Sequence, residues 1–143
     1  MKNILIVLIF LNVILCADMI KDAKKACDGG DPGACNYLGE SYSTQDNNIA
    51  ERFYKKACDG GHAKGCNSLG EMYENDNKFD LAIILYKKAC DGSNGKACLR
   101  LGFIYEKKLT ANATILKAKE FYKQACTLGN FEGCSAYSQI EDK

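Results

Sequence analysis

The phrase Lys-Lys-Ala-Cys-Asp-Gly-Gly-His-Ala-Lys-Gly-Cys, residues 55–66, sets two cysteines eight positions apart around a pair of glycines. It returns nearly unchanged at 24–35 and 87–98, and more loosely at 123–134. Within one continuous helix, residues eight apart are separated by about 12 Å. A disulfide requires Cα atoms roughly 4.4–6.8 Å apart. If each neighbouring pair is bonded, the chain therefore reverses between its two members. Gly29 and Gly30, Gly60 and Gly61, Gly92, and Gly129 follow the first cysteines. Glycine is favoured just past a helix C-terminus, where φ turns positive. Each phrase then reads as a helix end, a tight loop and a new helix start. The expected staples are Cys27–Cys35, Cys58–Cys66, Cys90–Cys98 and Cys126–Cys134.

Whether these cysteines are oxidised depends on where the chain matures. Met1-Lys2-Asn3 is a short basic start, and Ile4 to Leu15 is apolar apart from Asn12. This run is too short for a membrane-spanning helix but fits the apolar core of a secretory signal peptide. Residues 1–17 are accordingly read as that peptide, with cleavage after Ala17. A lipid-modified Cys16 is the alternative, and Leu15 is large for the position before it. Removing 1–17 takes away Cys16 and Lys2, so nine cysteines become eight and 19 basic residues become 18, against 18 acidic ones. An even cysteine count in an exported chain reads as a disulfide framework, and a secreted or periplasmic location is expected. Balanced charge argues against nucleic acid as a partner. Structural zinc sites space paired ligands two to four residues apart, not eight. Cys-x-x-Cys is absent as well, so neither a metal nor a cofactor is expected.

Apolar and small residues recur at helical spacing on both sides of the phrase. Ala50, Phe53, Tyr54 and Ala57 precede Cys58, and Ala82, Leu85, Tyr86 and Ala89 precede Cys90. Ala118, Phe121, Tyr122 and Ala125 precede Cys126 in the same register. After the second cysteines come Leu38, Gly39 and Tyr42, then Leu69, Gly70 and Tyr73, then Leu101, Gly102 and Tyr105. Offsets of three, four and seven mark one face of a helix. A glycine inside a helix costs about 1 kcal/mol against alanine, so its return predicts close helix contact, with the alanines of the other helix opposite. First cysteines recur after 31, 32 and 36 residues, a period typical of helical-hairpin solenoids. Helices are expected near 18–28, 33–44, 48–59, 64–75, 79–91, 95–107, 115–128 and 131–141. The fold class is all-α: a right-handed superhelical solenoid over 18–143, with three full hairpins and a half-unit at each end. Tyr137 and Ser138 stand in the last half-unit where Leu-Gly is expected, which suits a polar capping element.

Taken together, Ala-x-x-x-Tyr-x-x-Ala-Cys, the glycine turn and Cys-x-x-Leu-Gly-x-x-Tyr resemble the Sel-one-like repeat, a relative of the tetratricopeptide repeat. The eight-residue cysteine spacing is similar to that of the Helicobacter cysteine-rich proteins. The family's Gly-x-Gly-Val-x-Lys-Asp inter-helix loop is shortened here at 43–48 and 74–78, and only 107–114 keeps full length. The resemblance implies slow penicillin hydrolysis or penicillin binding as one activity to test.

The hydrolase parts are sparse. Ser93-Asn94-Gly95-Lys96 matches Ser-x-x-Lys but falls inside a stapled turn, without Ser-Asp-Asn or Lys-Thr-Gly. His62 is the single histidine and lies in a polar turn, so neither a zinc hydrolase nor a Ser-His-Asp site assembles around it. The recurrent tyrosines are expected in the core, and the Lys-Lys pairs on solvated helix backs. In tetratricopeptide-like solenoids the first helix of each hairpin lines the concave face. Candidate ligand-binding residues there are Asn36, Tyr37, Glu40, Asn67, Ser68, Glu71, Arg100 and Phe103. Their mixed polar and aromatic character suits a protein, peptide or cell-wall glycopeptide ligand. A monomeric scaffold is the expected function, with a β-lactamase-like hydrolase as the alternative.

Overall fold

The structure is a computed structural model describing Ile6 and residues 18–141; the remainder of the segment read as a signal peptide lies outside the described residues. Eight helices follow one another among the described residues, without strands. They are α1 (18–28), α2 (Pro32–Tyr42), α3 (Asn47–Asp59), α4 (Ala63–Asn75), α5 (Phe79–Asp91), α6 (Gly95–Glu106), α7 (Ile115–Thr127) and α8 (Phe131–Glu141). Each helix packs on the next, most extensively in the pairs α2–α3, α4–α5 and α6–α7. The result is a right-handed superhelical solenoid.

The four reversals share one construction. In each, the residue four before the second cysteine donates its N–H back to the carbonyl of the alanine preceding the first cysteine: Asp31 to Ala26, His62 to Ala57, Asn94 to Ala89 and Asn130 to Ala125, at 2.9–3.0 Å. This bond caps the outgoing helix, and it requires a positive φ just before it. Gly30, Gly61 and Gly129 supply that φ at 93°, 85° and 81°, and Ser93 takes the same place at 66°. The side chain of the same capping residue then starts the next helix. Asp31 accepts from the Gly33 and Ala34 amides at 2.8 and 3.1 Å, ahead of Pro32 in the first turn. His62 Nδ1, Asn94 Oδ1 and Asn130 Oδ1 accept from Gly65, Ala97 and Gly133 at 3.2, 3.0 and 2.8 Å. Such caps contribute about 1 kcal/mol each. The turns bring the cysteine Cα atoms to 4.4–4.9 Å, and all four expected disulfides are present.

Between helices the glycines act as predicted, but their partners differ from the expectation. A Cβ on Gly39, Gly70 or Gly102 would lie 2.5, 2.8 or 2.4 Å from the ring of Tyr54, Tyr86 or Tyr122. Tyrosines, not alanines, therefore lie opposite these glycines. The alanines meet a second set: Cβ of Ala57 and Ala125 would be 2.6 Å from a Cβ on Gly65 and Gly133. Alanine spacing alone does not say which of two flanking helices a residue faces. Gly102→Ala is expected to cost about 1–3 kcal/mol by overpacking, more than the roughly 1 kcal/mol of helix propensity it gains. Urea denaturation checks this, and Tyr122→Leu in the same chain should relieve most of the loss. A stabilised Gly102→Ala would show that the ring gives way freely.

Candidate functional site

The first helices of the hairpins, α2, α4 and α6, carry the predicted ligand-binding residues, and the structure sorts them into three roles. Asn36 and Asn67 are 4 % exposed and do not present themselves to solvent. Each donates its Nδ2 to the carboxylate one helical turn on, Asn36 to Glu40 and Asn67 to Glu71, both at 3.0 Å. Their Oδ1 atoms have no protein partner. The same carboxylates each receive a lysine from the next hairpin, Lys64 on Glu40 and Lys96 on Glu71, both at 2.7 Å. The Lys64 ammonium, with the Asn36 amide, holds the Glu40 carboxyl below its ordinary value despite partial burial, and Glu40 in turn raises Lys64. Two identical rungs thus run along the solenoid. They stop at the third hairpin because Leu99 and Phe103 replace the Asn-Glu pair.

Arg100 belongs to a different assembly. Its guanidinium forks onto Glu74, with Nε donating to Oε2 at 3.1 Å and Nη2 donating to Oε1. The Glu74 side chain is only 10 % exposed, and the buried Tyr86 hydroxyl also donates to it at 2.6 Å. A buried carboxylate needs such compensation. Burial and the nearby carboxylates raise the Tyr86 and Tyr122 phenols, Tyr122 donating to Glu106 at 2.7 Å. The expected core role of these tyrosines holds, and their hydroxyls additionally tie helices together. The signal for this was the repeated Tyr73-Glu74 and Tyr105-Glu106 dipeptide, which the apolar pattern passed over.

Tyr37, Ser68 and Phe103 remain at least partly accessible, with the Arg100 guanidinium 5.3 Å from the Phe103 ring centre. Two clefts flank α4. One, of about 500 Å³, lies against α3 and is lined by Asn47, Glu51, Tyr54, Ser68, Glu71 and Asn75 among others. The other, about 250 Å³, lies against α6 and is lined by Glu71, Glu74, Asn75, Lys96 and Arg100. Glu71 and Asn75 belong to both. Of the predicted residues, Ser68, Glu71 and Arg100 are brought to these clefts, and Tyr37, Glu40 and Phe103 lie outside their linings. Glu51, Glu74 and Asn75 were missed. Glu51 accepts the Tyr73 hydroxyl at 2.7 Å, raising that phenol. Ser93 sits exposed in its positive-φ turn, and His62 Nδ1 is occupied by the Gly65 amide. No group of three or more metal-ligating side chains converges among the described residues.

A family model described as "Sel1 repeat" matches residues 32–62, 63–94 and 95–130, the three helix pairs named above. Among curated proteins, none matches the chain. Solved structures do. The protective antigen c5321 of uropathogenic Escherichia coli, which displays an SLR fold, superposes with a TM-score of 0.79 at 27 % identity over 87 % of this chain. The chain covers 28 % of that protein's length. A Sel1 repeat protein from Oxalobacter formigenes gives a TM-score of 0.74 at 27 % identity, covering 83 % of this chain and 96 % of that one. Helicobacter pylori cysteine rich protein B gives 0.66 at 28 % identity, covering 83 % and 92 %.

Proposed function

The chain belongs to the Sel1 repeat family, and on that premise we propose that it is an interaction scaffold holding an extended polypeptide or glycopeptide segment along the clefts beside α4. Repeats of this family usually mediate protein interactions. The four disulfides are those of a chain maturing in an oxidising, extracytoplasmic compartment. The observation that carries the reading is the meeting of two clefts, about 500 and 250 Å³, at Glu71 and Asn75. A compact small molecule fills one pocket, whereas a segment advancing about 3.3 Å per residue uses neighbouring clefts in series. Amides, hydroxyls and carboxylates line them, so backbone and sugar groups of a ligand find both donors and acceptors. Glu51, Glu71 and Glu74 outnumber Lys96 and Arg100 there, which disfavours a polyanion.

Exposed Asn75 gives the test, because bulk at that position closes the junction without disturbing the core. Oxidised protein screened against peptide and peptidoglycan-fragment arrays is expected to select a ligand, and Asn75→Trp is expected to lose it with an unchanged melting temperature. A ligand retained by Asn75→Trp, or one mapping to the opposite face, would sink the proposal. Penicillin turnover belongs in the same experiment. Efficient turnover abolished by Ser93→Ala would replace the scaffold with a hydrolase.

A further inference from the structure

One contact recurs inside the solenoid, and each end of the described chain carries one member of it. Inside each complete hairpin, the residue three before the second cysteine meets the residue two after the following first cysteine. A Cβ on Gly60 would be 2.8 Å from Pro32, and one on Gly92 would be 2.8 Å from Ala63. A Cβ on Gly95 would be 3.3 Å from Leu128. One member of every pair is glycine, and in the third the large side chain has changed sides. The series leaves two members unmatched. Phe131 on α8 is 87 % exposed, and a Cβ on Gly29, after α1, would meet only the carbonyls of its own helix.

Burial elsewhere on these helices tells the same story. Ala57, Ala89 and Ala125, each just before a first cysteine, are fully buried, whereas Ala26 at the same place is exposed. Ala50, Ala82 and Ala118 are fully buried, whereas Met19 in that register is half exposed. Cys35, Cys66 and Cys98 are at most 3 % exposed, but Cys134 is only half-buried. Among the described residues, α1 has the register of a second helix with no first helix packed on it, and α8 that of a first helix with no second packed on it.

We propose that copies of this chain associate head to tail, α8 of one copy packing on α1 of the next as a fourth hairpin, with Phe131 over Gly29. This occupant is favoured because the two open faces lack each other's partner and the required pairing, a side chain against glycine, is already used three times within the chain, with proline, alanine and leucine. Ser138 and Ala23 stand where the inner hairpins have glycine under tyrosine, so the bulk of the junction is carried by Phe131. The ionic rungs Lys56–Asp28 and Lys88–Asp59 are not continued: Gln124 takes the lysine position opposite Asp91, and Thr127 takes the acidic position that would face Lys25 of the next copy. The contact is therefore apolar, and added salt does not dissolve it. Such an interface is heterologous: each copy offers two different faces. It departs from the monomer expected on sequence.

Sedimentation of the full, exported and oxidised chain across a concentration series tests this. Wild-type protein is expected to self-associate as concentration rises. Phe131→Glu and Ala26→Arg, both at exposed positions, are each expected to weaken association roughly tenfold or more. Their mixture supplies one intact face of each kind and is expected to stop at a dimer. A wild-type chain that stays monomeric throughout overturns the proposal. So does association that Phe131→Glu abolishes and Ala26→Arg leaves intact, since that pattern means two Phe131 ends meet symmetrically.

Discussion

Reducing all four disulfides is expected to unfold the chain at neutral pH. Each bridge spans a sequence separation of eight, worth roughly 2.5 kcal/mol in the loop-entropy account. Four sum to about 10 kcal/mol as an upper figure, inside the 5–15 kcal/mol range of whole-domain stability. A solenoid offers little to offset that loss, because each unit contacts only its neighbours and the core is strung along the stack, not gathered at one centre. Six of the eight cysteines are at most 4 % exposed, and only the Cys126–Cys134 bridge is half-buried, so reduction of the other three proceeds through local opening and is accelerated by mild denaturant. Circular dichroism with and without reductant reads the outcome. A fully reduced chain, verified by thiol titration, that keeps an unchanged cooperative melt would refute the staple argument. Removing Cys90 and Cys98 together should cost about one bridge and separate the second hairpin from the third.

Tyr86→Ala is expected to cost about 3–5 kcal/mol, among the larger single-residue losses available here. The ring is fully buried over Gly70, and its hydroxyl helps to compensate the Glu74 carboxylate, so substitution leaves a cavity and weakens a buried charge network. Tyr86→Phe keeps the packing and should cost only about 1–2 kcal/mol, with Arg100 still on Glu74. The phenol also sets a pH dependence. Burial, then the Glu74 hydrogen bond, raises it above the ordinary value of 10. A raised acid contributes stability that is complete below its unfolded value and is lost as pH rises beyond it. Wild-type protein should therefore weaken above about pH 10, and Tyr86→Phe should weaken less steeply. Tyr122 is raised in the same way and keeps part of that slope. Urea midpoints at neutral and alkaline pH measure both effects. A Tyr86→Ala chain within about 1 kcal/mol of wild type would mean that the second hairpin repacks around the hole.

The residues show where sequence reading succeeded and where it stopped. The eight expected helices agree with the observed ones to within two residues at each end, because caps and positive-φ turns recur with the cysteines. The helix positions of Asn36 and Asn67 predict ligand-facing side chains, yet each is buried and steadies a glutamate. A helical offset gives an angle around one helix axis, and the depth at that angle depends on the neighbour packed there. Lys64 and Lys96 close rungs from the next hairpin, and Glu51 joins a cleft through Tyr73, 22 residues away. None of these pairings has a local signature.

What the sequence determined by itself is the hairpin: its reversals, its period and the bridges across each turn. Those depend on capping side chains, positive-φ positions and covalent links among residues at most eight apart, so short-range chemistry decides them. Tertiary structure alone decided which glycine lies under which ring, which carboxylates meet at the α4 clefts, and that Phe131 and Gly29 face no other helix among the described residues. These depend on how each hairpin is rotated onto the next, and that rotation is settled by the summed packing of whole helix faces, not by any single residue's neighbours in the chain.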